Sequence, residues 1–396
     1  MTDIVIRGGQ TLVDHELVDT PVRIFNAAIC TVGSSSASAE THLDAEGLLV
    51  LPGIVDLHGD AFERQMMPRP GVDFPIDVAL ADSDRQAIAN GITTVFHATT
   101  WSWEPGLRGA ENAKKLIDAI EQQRPRLAAD TRFHLRQETY NLEAEATIIE
   151  WLNAGRIDLL AFNDHMSSIA ADMARPQKRA RMAERTGLSG AEFDALVQRI
   201  AARADEVPAS ISRLAAAGRA SKTPMLSHDD ETPAGRRAYR MQGVSIAEFP
   251  VNIETAREAV IAGEFTVFGA PNVVRGGSHT GWTSATEMIR QGLCSILASD
   301  YYYPAQLLAA FRLAAENVLP LGRVWSLISE APAQAAGLTD RGRIAQGARS
   351  DIILVDPSQA LRPRVVAVIA AGRIVHLTDM SRVKRGQMNS ENIAAA

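Results

Sequence analysis

The sequence predicts an α/β fold, a (β/α)8 barrel of the TIM type that interrupts a small β-sandwich domain formed by both chain ends. Three observations carry this. Eight apolar strand-like runs alternate with helical segments through the middle of the chain. Short alternating runs with Gly and Asp turn signals occupy both ends. Side chains of metal-ligand type recur at the same end of the central strand-like runs.

Residues 1–51 read as β-hairpins, because "DIVIRGG", "TPVRIFNAAICTVG" and "HLDAEGLLVLPG" alternate apolar and polar positions between turns. "GRIAQGARSDIILVD" and "VVAVIAAGRIVHL" repeat the pattern within residues 338–396, so the two ends should pair around a central domain at 52–337. There the strand-like runs are "GIVDLH", "TTVFHA", "RFHLRQE", "DLLAFND", "PMLSH", "VSIAEFP", "FTVFGAP" and "CSILASD". Helical stretches such as "SDRQAIANG", "GAENAKKLIDAIEQQ" and "TSATEMIRQG" separate most of them, which implies parallel strands joined by crossover helices. A doubly wound open sheet would want a glycine-rich phosphate turn after the first strand, and "HGDAFE" is not one. The connection at about 166–220, between the fourth and fifth strands, is long enough for two or more helices, and covers for active sites often arise from such insertions.

A chain of 396 residues with 46% hydrophobic content can fill a substantial core. It contains no 18-residue apolar run and no charged-then-apolar leader, so a cytoplasmic enzyme with no membrane partner is expected. Cys30 and Cys294 cannot build a disulfide framework, and both are expected as small buried hydrophobes in a reducing compartment. A formal charge of −7 opposes nucleic acid as a partner. It leaves room for a small anionic substrate, since a local cluster of Arg outweighs a distant net charge, and nothing opposes assembly into a homo-oligomer.

His58 and Asp60 stand two apart at the end of the first run, where an extended chain projects both to one side, able to hold a single ion. Glu138 ends the third run, His165 the fourth, His228 the fifth and Asp300 the eighth. In a parallel barrel these ends meet in one cavity. A lone strand-end histidine is as often a hydrogen-bonded structural residue, but six ligand-type residues at one end point to a metal centre. His97, ending the second run, is expected to pack or to support the site from behind. His15, His42, His134 and His376 are read as structural or surface residues. Asp229 and Asp230 directly follow His228, and one of them is expected to orient a ligand.

The stretches "LPGIVDLHGDAFERQMMPRPGVDFP", "NGITTVFHA", "HLRQE", "LSHDDETP", "IAEFP", "GAPNVVRGGSHTG" and "ILASDYYYPAQLLAAF" resemble the amidohydrolase superfamily and, within it, the PhnM-like enzymes of phosphonate metabolism. The resemblance runs over nearly the whole chain. It implies a barrel of the metal-dependent hydrolase type in which Asp60 is the subfamily's own ligand. It also implies hydrolysis of α-D-ribose 1-methylphosphonate 5-triphosphate to the 5-phosphate and pyrophosphate. Three places depart from the family pattern: Gly59, where Thr is common, "MSSIAADM" after His165, and "TWSWEPG" at 100–106. These loops rim the site and bear on substrate identity.

On this reading two divalent ions, zinc first with manganese or iron compatible, are held by His58, Asp60, Glu138, His165, His228 and Asp300. Glu138 would bridge them, a hydroxide between them would attack phosphorus, and Asp300 would take or relay its proton. Arg69, Arg136, Arg275 and His279 are candidate phosphate donors, and Gly276 and Gly277 would let backbone N–H groups approach phosphate oxygens. The bland alternative for each arginine is a surface or salt-bridging role, and "RPQKRARMAER" reads as a solvated helix face. Two other functions fit the same fold. A C–N hydrolase (deacylase or cyclic amidase) would show a dry, apolar pocket with one carboxylate anchor, and a silent scaffold would have lost ligands.

Overall fold

The computed structural model describes residues 2–33, 39–69, 71–166, 169, 173, 175–277 and 284–385. The N-terminal strands β1 (Asp3–Arg7), β2 (Gln10–Val13), β3 (Glu16–Asp19), β4 (Val22–Phe25), β5 (Ala28–Val32), β6 (Thr41–Asp44) and β7 (Leu49–Pro52) precede the barrel. The barrel strands are β8 (Ile54–Gly59), β9 (Ile92–Trp101), β10 (Asp130–Glu138), β11 (Leu159–Asn163), β12 (Met225–His228), β13 (Ile246–Glu248), β14 (Phe265–Gly269) and β15 (Ile296–Ala298). The chain then returns through β16 (Ile352–Asp356), β17 (Arg364–Ala370), β18 (Arg373–Leu377) and β19 (Val383–Arg385).

β8 to β15 lie side by side in chain order, each parallel to the next. The ring closes where Gly59 bridges Asp300, with Asp300 N–H donating to the His58 carbonyl at 2.8 Å and Asp60 N–H to the Asp300 carbonyl at 3.1 Å. Leu57, Phe96, Leu159, Ala161, Leu226 and Val267 belong to the cluster that fills the lumen. The barrel is therefore packed below its mouth, as side-chain layers require.

Helices cover the outside because their apolar residues recur at three- and four-residue spacing. The helix Ala110–Gln123 buries Ala113, Leu116, Ile117 and Ile120 on one face. The insertion after β11 holds the helices Pro176–Thr186, Gly190–Ala201 and Val207–Ser221. A capping box of Ser189 and Glu192 starts the second, and Lys222, in the left-handed region, ends the third. No described helix is long and apolar enough to cross a membrane.

The ends of the chain form two further sheets, ordered β19-β6-β1-β4-β5 and β18-β17-β16-β7-β2-β3. β16 pairs antiparallel with β7, so the returning chain is built onto the strand that leads into the barrel. Ile6, Ile24, Leu43, Val50, Leu354 and Ile369 share the core between the sheets. One expectation is corrected here. Cys294 is buried, but Cys30 is exposed, because β5 is an edge strand whose alternation turns Ile29 inward and Cys30 out.

Among the described residues Trp325 is the largest fully buried side chain, and its indole N–H donates to the Pro52 carbonyl at 3.0 Å, joining the helix Leu321–Ser326 to the end of β7. Trp325→Ala is expected to cost about 3–5 kcal/mol from the cavity alone. An unchanged denaturation midpoint in urea would contradict this packing.

Candidate metal centre

The site is built at the carboxyl ends of the barrel strands. On β10 the two-residue period turns His134, Arg136 and Glu138 to the lumen, while Phe133 and Leu135 pack outward with the helices. β8 loses its regular register with β9 between Asp56 and Gly59, just where His58 and Asp60 reach the mouth. His228 ends β12 and Glu248 ends β13.

Three groups of donors result, with ligand atoms mutually within 4.8 Å: His58, Asp60 and Asp300; His165, His228 and Asp229; and His58, His134 and Glu248. His58 Nδ1 donates to Glu248 Oε1 at 2.8 Å, which fixes the ring and leaves Nε2 directed toward Asp60 Oδ2, 4.0 Å away. His165 Nδ1 donates to Glu138 Oε1 at 2.6 Å, and its Nε2 lies 3.4 Å from Asp229 Oδ2. That same oxygen is 3.0 Å from His228 Nδ1. Arg136 lies among them, with Nη2 donating to His228 Nε2 at 3.1 Å and Nη1 3.7 Å from Asp60 Oδ2. Asp60 Oδ1, Glu248 Oε2 and His134 Nε2 are buried without a hydrogen-bond partner, so their lone pairs are not consumed by the protein. A donor set of this composition, with unspent buried atoms, fits a divalent cation. Asp229 and Asp300 both hold the left-handed backbone, at φ of 59° and 56°, the kind of strain that collects at functional sites.

Burial lowers the proton affinity of His165, but hydrogen bonds to Asp229 and Glu138 outweigh it and hold the imidazole up to about 9. Burial, reinforced by the charge of Asp60, raises the Asp300 carboxyl to about 6. Burial would also raise Glu248, yet His58 and His134 bring it down to about 2. Burial, the largest influence on His58, pulls it down, but the charge and hydrogen bond of Glu248 together with Asp60 leave its affinity above the usual value. For these groups to ligate, His58 and His165 must be neutral and Asp300 ionised, so an entering cation would displace three protons below pH 6 and fewer as the pH rises toward 9. Affinity for Mn²⁺ should therefore rise by roughly a thousandfold per pH unit below 6 and more gradually above it. Calorimetric titration across that range would show it, and a flat profile would contradict the assignment.

The remaining candidates are sorted by the structure. Arg275 is exposed, with Nη1 donating to Tyr301 Oη at 3.4 Å, next in sequence to Asp300. Arg69 is exposed in a turn closed by Val72 N–H on its own carbonyl at 3.0 Å, and no hydrogen bond or ion pair among the described residues joins it to the donors. Gly276 and Gly277 do not offer free N–H groups as expected. Their N–H groups donate to the carbonyls of Val273 at 3.1 Å and Asn272 at 3.0 Å, because Gly276 at φ 82° terminates the helix Ala270–Arg275. His279 lies outside the described residues. Asp230 turns away from the mouth, bound by Ser227 Oγ at 2.5 Å and by the fully buried Arg236, and braces the end of β12. His97 faces outward from the barrel against Phe62, ring centroids 5.0 Å apart, and burial lowers it to about 4.

Reading the sequence missed two residues. His134 is not a bystander, since it lies in a donor group with His58 and Glu248, and Glu248 was passed over entirely. Both were signalled: His134 by its two-residue spacing from Arg136 and Glu138, and Glu248 by ending the sixth strand-like run. A cleft of about 1350 Å³ adjoins the ends of β9 and β10, walled by Trp101, Trp103, Lys114 and Asn141 and by Leu196 and Arg199 of the insertion.

A closed parallel barrel with a β-sandwich from both chain ends and ligand-type side chains at the strand ends defines a class. The chain belongs to the amidohydrolase family, whose sequence profile matches residues 76–376. It is 34% identical to the α-D-ribose 1-methylphosphonate 5-triphosphate diphosphatase of Escherichia coli K12 over 358 residues, 89% of this chain and 94% of that protein. Adenine deaminase of Brucella suis biovar 1 is 25% identical over 389 residues, but the chain spans only 57% of its length. Among solved structures, dihydropyrimidinase from Brevibacillus agri superposes with a TM-score of 0.65 at 14% identity, covering 95% of each chain, which supports the fold.

Proposed function

We propose that this protein is a divalent-metal-dependent diphosphatase that cleaves a phosphoanhydride of α-D-ribose 1-methylphosphonate 5-triphosphate, releasing pyrophosphate and leaving the 5-phosphate. The observation that carries the reading is Arg136, a buried guanidinium among the ligand atoms, where a fixed fork of donors suits phosphoryl oxygens. The Escherichia coli relative supports the substrate class.

Among the described residues, Asp60, Glu138, Asp229, Glu248 and Asp300 gather around the guanidinium of Arg136, an excess of negative charge when the imidazoles are neutral. Two divalent cations balance that charge, and the mixed imidazole and carboxylate donors suit zinc, manganese or iron. When bound, such ions polarise phosphoryl oxygens and make water acidic enough to serve as a nucleophile near neutral pH. The protein's own groups do the rest. Asp300, raised to about 6, is placed to accept a proton at Oδ, and Arg136 binds and orients phosphoryl oxygens. Glu138 orients His165 through Nδ1, and Arg275 lies beside Tyr301 at the mouth. The exposed, free thiol of Cys30 supports a reducing cytoplasmic setting, and a small phosphorylated molecule is the partner this site requires.

The C–N hydrolase alternative is decided by offering metal-loaded protein the ribose triphosphate alongside a panel of cyclic amides, N-acyl compounds and adenine, with phosphorus NMR and ammonia release as readouts. Pyrophosphate from the triphosphate is the expected result. Turnover of an amide or adenine, with the triphosphate intact, would overturn the proposal.

A further inference from the structure

Asp56 is fully buried in β8 and forms no ion pair among the described residues. Its carboxylate is met instead by hydrogen-bond donors: Ser299 N–H at 2.9 Å, Ser299 Oγ at 2.5 Å and, more weakly, His58 N–H at 3.4 Å. A buried carboxylate carries a large desolvation cost, and this one is spent on gripping a single residue twice across the seam where the barrel closes. Ser299 is also fully buried, and it immediately precedes Asp300, whose backbone sits in the left-handed region at φ 56°. A non-glycine residue persists there only where its surroundings over-determine it. Downstream of that turn, Asp300 exchanges backbone hydrogen bonds with His58 and Asp60, and its side chain completes their donor group.

We propose that Asp56, acting through Ser299, is a positioning residue that sets Asp300 into register with His58 and Asp60. The inference rests on the reading of these three as an ion site. It explains why the strand ahead of His58 carries an acidic side chain directed away from the lumen, which neither ligation nor packing demands. Ser299 supplies both contacts, its N–H fixing the chain direction and its hydroxyl the rotation about the peptide leading into Asp300.

The test is a double-mutant cycle of Ser299→Ala and Asp300→Asn, read by calorimetric titration with Mn²⁺ and by kcat and KM for pyrophosphate release. Ser299→Ala should weaken Mn²⁺ binding by about tenfold and lower kcat about as much, with KM changing less than about twofold, the scale seen for partners that orient ligands. In the Asp300→Asn background it should change neither, because its effect passes through Asp300. Asp56→Asn, if it folds, should behave as Ser299→Ala. A lowered melting temperature with Mn²⁺ affinity and kcat intact, or effects that add in full with Asp300→Asn, would overturn the proposal. Absence of pyrophosphate release by the unmodified protein would sink the proposed activity while the Mn²⁺ cycle still decided the role of Asp56. Absence of Mn²⁺ binding would overturn both.

Discussion

Asp300→Asn is expected to lower turnover by about 10³-fold, within the range for loss of a positioned general base. The substitution is clean on structural grounds. Asn matches Asp in shape and is among the few residues that tolerate the left-handed backbone found here, so the strand end should survive. What it removes is the carboxylate whose proton affinity burial and Asp60 have moved to about 6, close to working pH. The variant should keep its melting temperature and retain the second donor group of His165, His228 and Asp229. Turnover unchanged from the unmodified protein, with metal content also unchanged, would exclude Asp300 as the proton acceptor.

The second large effect is expected at Glu248, which holds His58 from behind the site. Both side chains are almost wholly shielded from solvent, and Glu248 Oε1 accepts from His58 Nδ1 at 2.8 Å. Glu248→Ala leaves that ring unoriented in a buried setting, and removing one partner of such a pair costs about 3–5 kcal/mol. Metal affinity should fall by about 10- to 100-fold, since the oriented Nε2 is what His58 contributes. Urea denaturation of metal-free protein and Mn²⁺ titration separate the two consequences. If stability falls while affinity holds, Glu248 is a structural partner only, and His58 needs no orienting group.

Much of the fold could be read from sequence because one signal, an apolar run bounded by turns, recurs for each barrel strand and again in the hairpins of both ends. Strand-end residues such as His58 and Asp300 were legible for a related reason: a parallel barrel makes chain position a proxy for spatial position. Glu248 escaped because a glutamate after "IA" looks like ordinary strand polarity until the strand is known to be three residues long and to end at the lumen. The arginines could not be sorted, since a guanidinium's role depends on where a long flexible stem delivers it. Arg136 sits on a strand two residues from Glu138 and must point inward, whereas Arg69 sits in an exposed turn. Gly276 and Gly277 misled because paired glycines that could cradle an anion are also the usual way to end a helix, and local bonds to Val273 and Asn272 decide between the two. Cys30 misled because composition cannot say that its strand lies at a sheet edge.

Anomalous diffraction from crystals equilibrated with Mn²⁺ asks directly whether the converging side chains at the barrel mouth grip cations. Two peaks are predicted, one within bonding distance of His58, Asp60 and Asp300 and the other of His165, His228 and Asp229. Density elsewhere, or no ion touching either group at saturating Mn²⁺, would contradict the account.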